Sequence, residues 1–388
     1  MKLLIHTDSP CRNTGFGKVC RELITRFPDE WDIEVVGVNH WGRYELERVL
    51  PCFIHPAVTG RIEDTGIGIK QTITLLDTGK YDVFLTMMDY FQYAEASDEV
   101  RQICDRHDTK WIGYWPVDSP VTLDWSLSIL RCDEIVFYTK YGQAMAHPFL
   151  LGRASHVIGH GVSDAFRPLV ADPIALRRSL FPGAPTQTEA NYVQGPLWLS
   201  VNKNQIRKNI PELLQAFASF VAQTGTGFLL LKMSPDHEYD IRAMMASLGV
   251  DQHRWACINK ELPDSVLNKL YNCADLFITT THGEGWGMTV AEAAAAGVPV
   301  VAPRNTSLPE VAPASYFYDN DAYVNYGPHD LSRFRPCGGD ILGAVMDALR
   351  PDPDRIMANQ DARLSWESVA SQFVNLIAQT ALVPRRGR

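Results

Sequence analysis

Glu284 and Glu292 stand eight positions apart in the run HGEGWGMTVAEAAAAGVPVVAP, His282 to Pro303. The first lies in a loop with Gly283, Gly285 and Gly287. The second lies on a helix of strong formers that the sequence predicts from near Met288 to Gly297. An apolar strand, Leu276 to Thr281, feeds the loop. The helix's first N–H groups and the positive end of its dipole therefore face the space beyond the strand's carboxyl end. An anion, a diphosphate foremost, is the natural occupant of that space. Two carboxylates beside a phosphate cradle are repulsive unless they address hydroxyls, and a nucleotide sugar carries both a ribose diol and a hexose rim. The pattern points to a nucleotide-sugar site. The alternative is a capping loop and an alanine-rich packing helix carrying two solvated glutamates.

A second group of residues suits the same ligand. Lys203, Arg207 and Lys208 lie in VNKNQIRKN, directly after the predicted strand Leu197 to Val201 and before a helix expected at Ile210 to Ala222. When a nucleoside diphosphate departs, negative charge develops on its β-phosphate, and fixed cations stabilise that charge more in the transition state than before it. A solvated basic loop is the other reading. Gly15 and Gly17, in TDSPCRNTGFGKV, form a loop between the first strand and its helix. Position 20 is Cys where a dinucleotide fingerprint wants a third glycine, which argues against a nicotinamide enzyme. Asp118, in GYWPVDSP, either orients an acceptor hydroxyl or forms an Asx turn ahead of Pro120, and Asp89 carries the same ambiguity. His282 either donates to a phosphate or sugar oxygen or is a hydrogen-bonded turn residue.

The run EGWGMTVAEAAAAGVPVVA resembles the E-x7-E motif of the retaining glycosyltransferase family 4, whose usual wording is close to EGFGLxxxEAMAxGxPVVA. The resemblance implies the GT-B fold, an α/β architecture of two doubly wound Rossmann-like domains facing each other across a cleft. It implies that Glu284 lies against the donor sugar and Glu292 binds the ribose. His282, Gly283, Gly285, Trp286, Gly287, Met288 and Thr289 would then bind the donor, together with Arg207, Gly15 and Gly17. The basic loop is similar to the family's GRxxxxK, with Lys203 where an Arg is usual and Lys208 matching the Lys; the replacement keeps the charge and loses the bidentate fork. Many members place a His where this chain offers Asp118. His160 stands where the family commonly has Asn and reads as structural. The implied activity is a metal-independent transfer, of hexosyltransferase type, that retains anomeric configuration and needs no cofactor.

The elements that position these residues follow from apolar runs alternating with helix-length amphipathic stretches, twice over, which is the pattern of parallel sheets covered by helices. The first half offers strands at 2–7, 33–38, 81–87, 110–115, 134–139 and 155–160, the second at 197–201, 227–233, 255–260, 276–281 and 299–303. The expected division is an acceptor-side domain over 1–165, a linker with a short helix over 166–195, and a nucleotide-sugar domain over 196–365. A terminal helix at 366–382 would pack back on the first domain. The irregular segment 304–340 is expected to hold loops and small strands.

At 388 residues, with 46% hydrophobic and 21% charged side chains, the chain has material for two buried cores. Its net charge of −9 gives no general attraction to nucleic acid or an anionic membrane. No C-x-x-C pair occurs among the eight cysteines, so they read as reduced thiols in a cytoplasmic protein. The amino-terminal apolar run breaks at Asp8 and Pro10, too soon for a signal peptide, and no run is long enough to span a membrane. Saccharide, lipid-linked glycan, small aglycone, protein or modified DNA base all fit as acceptor. The donor base, peripheral membrane association and oligomeric state stay open. The rival functions are a GT-B sugar-nucleotide epimerase and a non-catalytic nucleotide-sugar-binding module.

Overall fold

A computed structural model of the chain describes residues 1–41, 44–58, 67–170, 172–180, 183, 186–326, 331–336 and 338–383. Cys337, the basic tail 384–388, the side chain of Trp125 and parts of the 166–195 stretch lie outside the described residues. The chain divides into two units, residues 1–161 with 364–388, and residues 162–363.

In the first unit seven strands form one parallel sheet: β1 (Lys2–Asp8), β2 (Asp32–Val38), β3 (Phe53–Pro56), β4 (Val83–Thr86), β5 (Lys110–Trp115), β6 (Glu134–Phe137) and β7 (His156–Val157), in the order β3-β2-β1-β4-β5-β6-β7. The short edge strand β3 has no counterpart among the expected strands. It is half-buried at best and ends in Pro56, so it shows neither a buried run nor an alternating one. Helix Trp366–Leu382 belongs to this unit. Its Phe373 ring meets Tyr114 of β5 at 4.8 Å, and a Cβ on Gly161 would come within 2.5 Å of the Trp366 backbone nitrogen. A glycine at 161 thus permits the close approach that brings the terminal helix onto the sheet.

The second unit holds β8 (Leu197–Val201), β9 (Phe228–Lys232), β10 (Trp255–Cys257), β11 (Leu276–Ile278), β12 (Val300–Pro303) and β13 (Tyr316–Tyr318) in the order β10-β9-β8-β11-β12-β13, again all parallel. Successive side chains of a strand point to opposite faces. Leu197 and Leu199 therefore enter one apolar core while Trp198 enters the other, and Leu230 and Leu229 divide in the same way. A sheet covered on both faces reads as continuous apolar runs, which is what made these strands visible in the sequence.

Several boundaries differ from expectation; β4, β7 and β10 are shorter than their expected strands. Strand β11 stops at Ile278, because Thr280 and Thr281 turn their hydroxyls onto the neighbouring basic loop instead of continuing the ladder. The stretch expected as a linker is part of the second unit. Helix Pro173–Leu180 is pinned there by Arg177, which donates to the Cys273 carbonyl (2.7 Å) and Asp275 (2.7 Å), and a further helix, Thr186–Gln194, follows. The segment 304–340 does hold small strands, as expected, in an antiparallel hairpin of β14 (Asn320–Tyr326) with β15 (Leu331–Pro336). Among the described residues no helix is long and apolar enough to cross a membrane.

Candidate functional site

In the second unit the chain winds from β8 outward to β10, then crosses back to β11 and continues outward on the other side. Strands β8 and β11 are parallel neighbours, pairing Trp198 with Leu276 and Leu199 with Phe277. Loops leaving the carboxyl ends of two such strands diverge and open a crevice, the usual ligand position of a doubly wound sheet. The two loops here are 202–209 and 279–287, which carry the basic cluster and the glycine-rich run.

Backbone and side chain join these loops. His282 N–H donates to the Arg207 carbonyl (2.9 Å), Thr280 Oγ1 to the Asn209 carbonyl (2.8 Å), and Thr281 Oγ1 to the carbonyls of Arg207 (3.3 Å) and Gly283 (3.0 Å). Asn209 sits in the left-handed region, φ 49°, turning the chain from a short 3-10 turn, Ile206–Lys208, into helix Ile210–Thr224. That turn aims Arg207 and Lys208 at Glu284. Lys208 Nζ lies 2.5 Å from Glu284 Oε1, and Arg207 Nη1 lies 2.9 Å from Oε2 while also donating to the Gly283 carbonyl. Burial pushes the Glu284 carboxyl up, but Arg207 and Lys208 outweigh it and hold the group down to about 2. Glu284 is an anion with both oxygens engaged.

The glycine loop is braced from β12. Thr306 Oγ1 accepts from the Glu284 N–H (2.9 Å), Asn305 Nδ2 donates to the Thr281 carbonyl (3.1 Å), and Ser307 Oγ donates to the Trp286 carbonyl (2.7 Å). Thr306 is a β-branched residue at φ 44°, a strained conformation of the kind held in place at functional sites. Sequence reasoning missed Asn305, Thr306 and Ser307; the only trace was polar residues directly after an apolar strand. Gly287, at φ 95°, turns the loop into helix Met288–Ala295, and no side chain caps that helix. Gly297, at φ 80°, ends it. Glu292 is buried on the helix, where Tyr271 Oη shares its proton between Glu292 Oε2 (3.1 Å) and the Thr289 carbonyl (3.2 Å).

Arg207, Lys208, His282, Gly283 and Glu284 thus come together, with Gly285, Trp286, Gly287, Met288 and Thr289 continuing into the helix and Glu292 about one turn along it. Lys203 is exposed on the same loop and does not join the carboxylate. Arg207 is the second cation on Glu284. In the first unit, Gly15 and Gly17 lie not in a loop but in the first turn of helix Gly15–Ile24, capped by Thr14 Oγ1 accepting from the Gly17 N–H. A Cβ on Gly17 would meet the Ser9 carbonyl oxygen at 2.6 Å. Asp118 is half-buried in the loop after β5, and Asp89 precedes the short turn Tyr90–Tyr93. His160 is enclosed by Tyr138 (4.3 Å), Tyr114 (5.7 Å) and Trp366 (6.1 Å), and burial lowers it to about 3.

Residues 187–316, which include the whole of this crevice, match the protein family described as glycosyl transferases group 1. The O-antigen chain mannosyltransferase B of Escherichia coli is 30% identical over 183 residues, 46% of this chain and 44% of that protein. The alpha-monoglucosyldiacylglycerol synthase of Streptococcus pneumoniae is 26% identical over 156 residues, 40% of this chain and 32% of that protein. The matches span less than half the length of these curated relatives. Among solved structures, a sucrose-phosphate synthase from Thermosynechococcus elongatus superposes with a TM-score of 0.71 at 16% identity, covering 97% of this chain and 98% of that one. Anabaena HepE in complex with UDP and glucose gives 0.67 at 14%, covering 98% and 100%. At these identities the likeness is one of fold, two Rossmann-like units of the GT-B type.

Proposed function

We propose that this chain is a retaining glycosyltransferase that moves a hexosyl group from a nucleoside-diphosphate sugar to an acceptor hydroxyl, without a metal at the diphosphate. The observation that carries the reading is the clamp of Arg207 and Lys208 on Glu284 at the β8/β11 crevice, beside an uncapped helix start. Without donor, Glu284 is the counter-ion of both cations. An incoming diphosphate offers a second counter-charge, so Lys208 and Arg207 turn to its oxygens and Glu284 is released to accept hydrogen bonds from sugar hydroxyls. Glu292 is assigned to the ribose diol, Lys203 to the outer phosphate, and Asp118 to the acceptor. In the step proposed, the anomeric carbon–phosphate oxygen bond breaks, the acceptor oxygen bonds the same carbon on the same face, and the acceptor's proton passes to the departing phosphate. Charge growing on that phosphate is what the fixed cations stabilise.

A cytoplasmic location is part of the proposal, supported by seven free cysteines among the described residues. The test is a thermal-shift panel of UDP, GDP and ADP with their sugars, followed by donor hydrolysis with the best ligand. Saturable stabilisation by one nucleotide and release of its diphosphate are expected. An isomerised donor would favour an epimerase, and binding without turnover a non-catalytic module.

A further inference from the structure

A second constellation lies in the first unit, at the carboxyl ends of β1 and β2. Cys11, His40 and Glu47 each offer one ligand atom, and these atoms lie within 4.8 Å of one another. Cys11 and His40 are buried and Glu47 is half-buried. Three separate turns deliver them: the loop after β1, the left-handed Asn39 that ends β2, and the 3-10 turn Glu45–Arg48.

His40 is oriented as a ligand would be. Its Nδ1 lies 2.9 Å from Ser9 Oγ, and Ser9 Oγ also accepts from the Cys11 N–H (3.2 Å). With a metal bound, a proton on Nδ1 donated to Ser9 would leave Nε2 to ligate, and such a bond from the other ring nitrogen is what fixes metal-binding imidazoles. His40 Nε2 and Glu47 Oε1 are 2.7 Å apart. Tyr44 holds the turn in place, its hydroxyl accepting from Arg12 (3.3 Å) and from the Trp41 N–H (3.2 Å).

We propose that Cys11 Sγ, His40 Nε2 and Glu47 bind a zinc ion that ties the 45–48 turn to the ends of β1 and β2. One thiolate, one imidazole and one carboxylate form a donor set that suits zinc, with a fourth position left over. Tetrahedral zinc sets such atoms about 3.2–3.8 Å apart, so binding asks the 2.7 Å pair of His40 Nε2 and Glu47 Oε1 to open to that spacing around the ion. The thiolate and the carboxylate cancel the charge of the dication, which lowers the cost of enclosing it. On binding, the Cys11 thiol gives its proton to solvent and a ring nitrogen of His40 donates its lone pair. Cys52 feels the charge of both Cys11 and Glu47, which places another thiol in the same neighbourhood. The site differs from the metal-free expectation drawn from the sequence, and its residues belong to the first unit, whereas the diphosphate crevice is built from the second. Its test does not depend on the transferase reading.

The full chain is reduced, exposed to zinc sulfate or cobalt chloride, desalted, and assayed by atomic emission and absorbance. Expected are about one zinc per chain, a matching release of about one proton, and a thiolate-to-cobalt charge-transfer band. Cys11→Ser should abolish that band, and Glu47→Gln, at a partly exposed position, should weaken zinc binding about tenfold or more while keeping the near-UV circular dichroism of the native chain. Substoichiometric zinc in the reduced chain overturns the proposal. So does zinc that is retained in both Cys11→Ser and His40→Gln, or a Cys11–Cys52 disulfide on oxidation with no zinc taken up after reduction.

Discussion

The ammonium of Lys208 stands 2.5 Å from Oε1 of Glu284, 76 positions further along the chain, and both side chains are largely buried. A pair this enclosed is costly to break from one side, since the survivor is left charged and without its partner. Lys208→Met and Glu284→Gln are each expected to destabilise the fold. A double-mutant cycle in urea should return a coupling of about 1–3 kcal/mol. A coupling near zero would show that Arg207 alone holds the carboxylate.

The shifted groups lose their contributions in two pH windows. Glu284 is depressed to about 2 from an ordinary 4.5, so its contribution is complete above pH 4.5 and is lost as pH falls through about 2. His6 and His160 are depressed by burial to about 4 and about 3 from 6.5, and they stay neutral in the fold while the unfolded chain takes up protons. Their contribution is complete above pH 6.5 and drains away below it. Thermal unfolding of the full chain should therefore weaken first in the window from pH 6.5 to 4, and His160→Phe should flatten the slope there. Glu284→Gln should leave that slope unchanged.

Gly287→Ala puts a Cβ at φ 95° and 3.0 Å from Leu308 Cδ2. We expect a loss of about 1–2 kcal/mol and weaker nucleotide binding, because the turn that starts helix Met288–Ala295 is displaced. Gly17→Ala should lower the melting temperature further, since its obstacles at 2.6 and 2.7 Å are the backbone carbonyl oxygens of Ser9 and Arg12.

The buried Tyr271 hydroxyl donates to Glu292 Oε2 and shares that proton with the Thr289 carbonyl. Tyr271→Phe is expected to weaken nucleotide affinity about three- to tenfold, about one hydrogen bond's worth, with the fold retained. Glu292→Ala should lose donor binding, whereas Asp118→Ala should spare it and act on turnover. Calorimetric titration of the best nucleotide distinguishes the three, and normal affinity in Glu292→Ala would remove the ribose assignment.

The strands that carry the crevice were legible because both faces of their sheets are covered, leaving unbroken runs such as LWLSV and FLLLK. Glu284, Gly287 and Glu292 were legible because a loop-to-helix junction constrains spacing over a short stretch. What acts across chain distance was not. Nothing local to VNKNQIRKN says that Arg207, not Lys203, joins Lys208 on a carboxylate, because that choice is made by Asn209 and by threonines beyond residue 279. Cys11, His40 and Glu47 share no spacing motif, and only the parallel pairing of β1 with β2 brings their loops to one end of a sheet.

The first unit is built from both ends of the chain, residues 1–161 and 364–388, with the second unit's residues between them. During synthesis, every strand of the second sheet has left the ribosome before helix Trp366–Leu382 is made. The nucleotide-side unit is therefore free to close first, while the surface of β5 that receives Phe373 waits uncovered. A chaperone that recognises exposed aromatic surface would meet this protein at Tyr114 late in translation, and a stop codon near position 363 would leave the strands of the first unit, made before those of the second, as the ones that fail to mature.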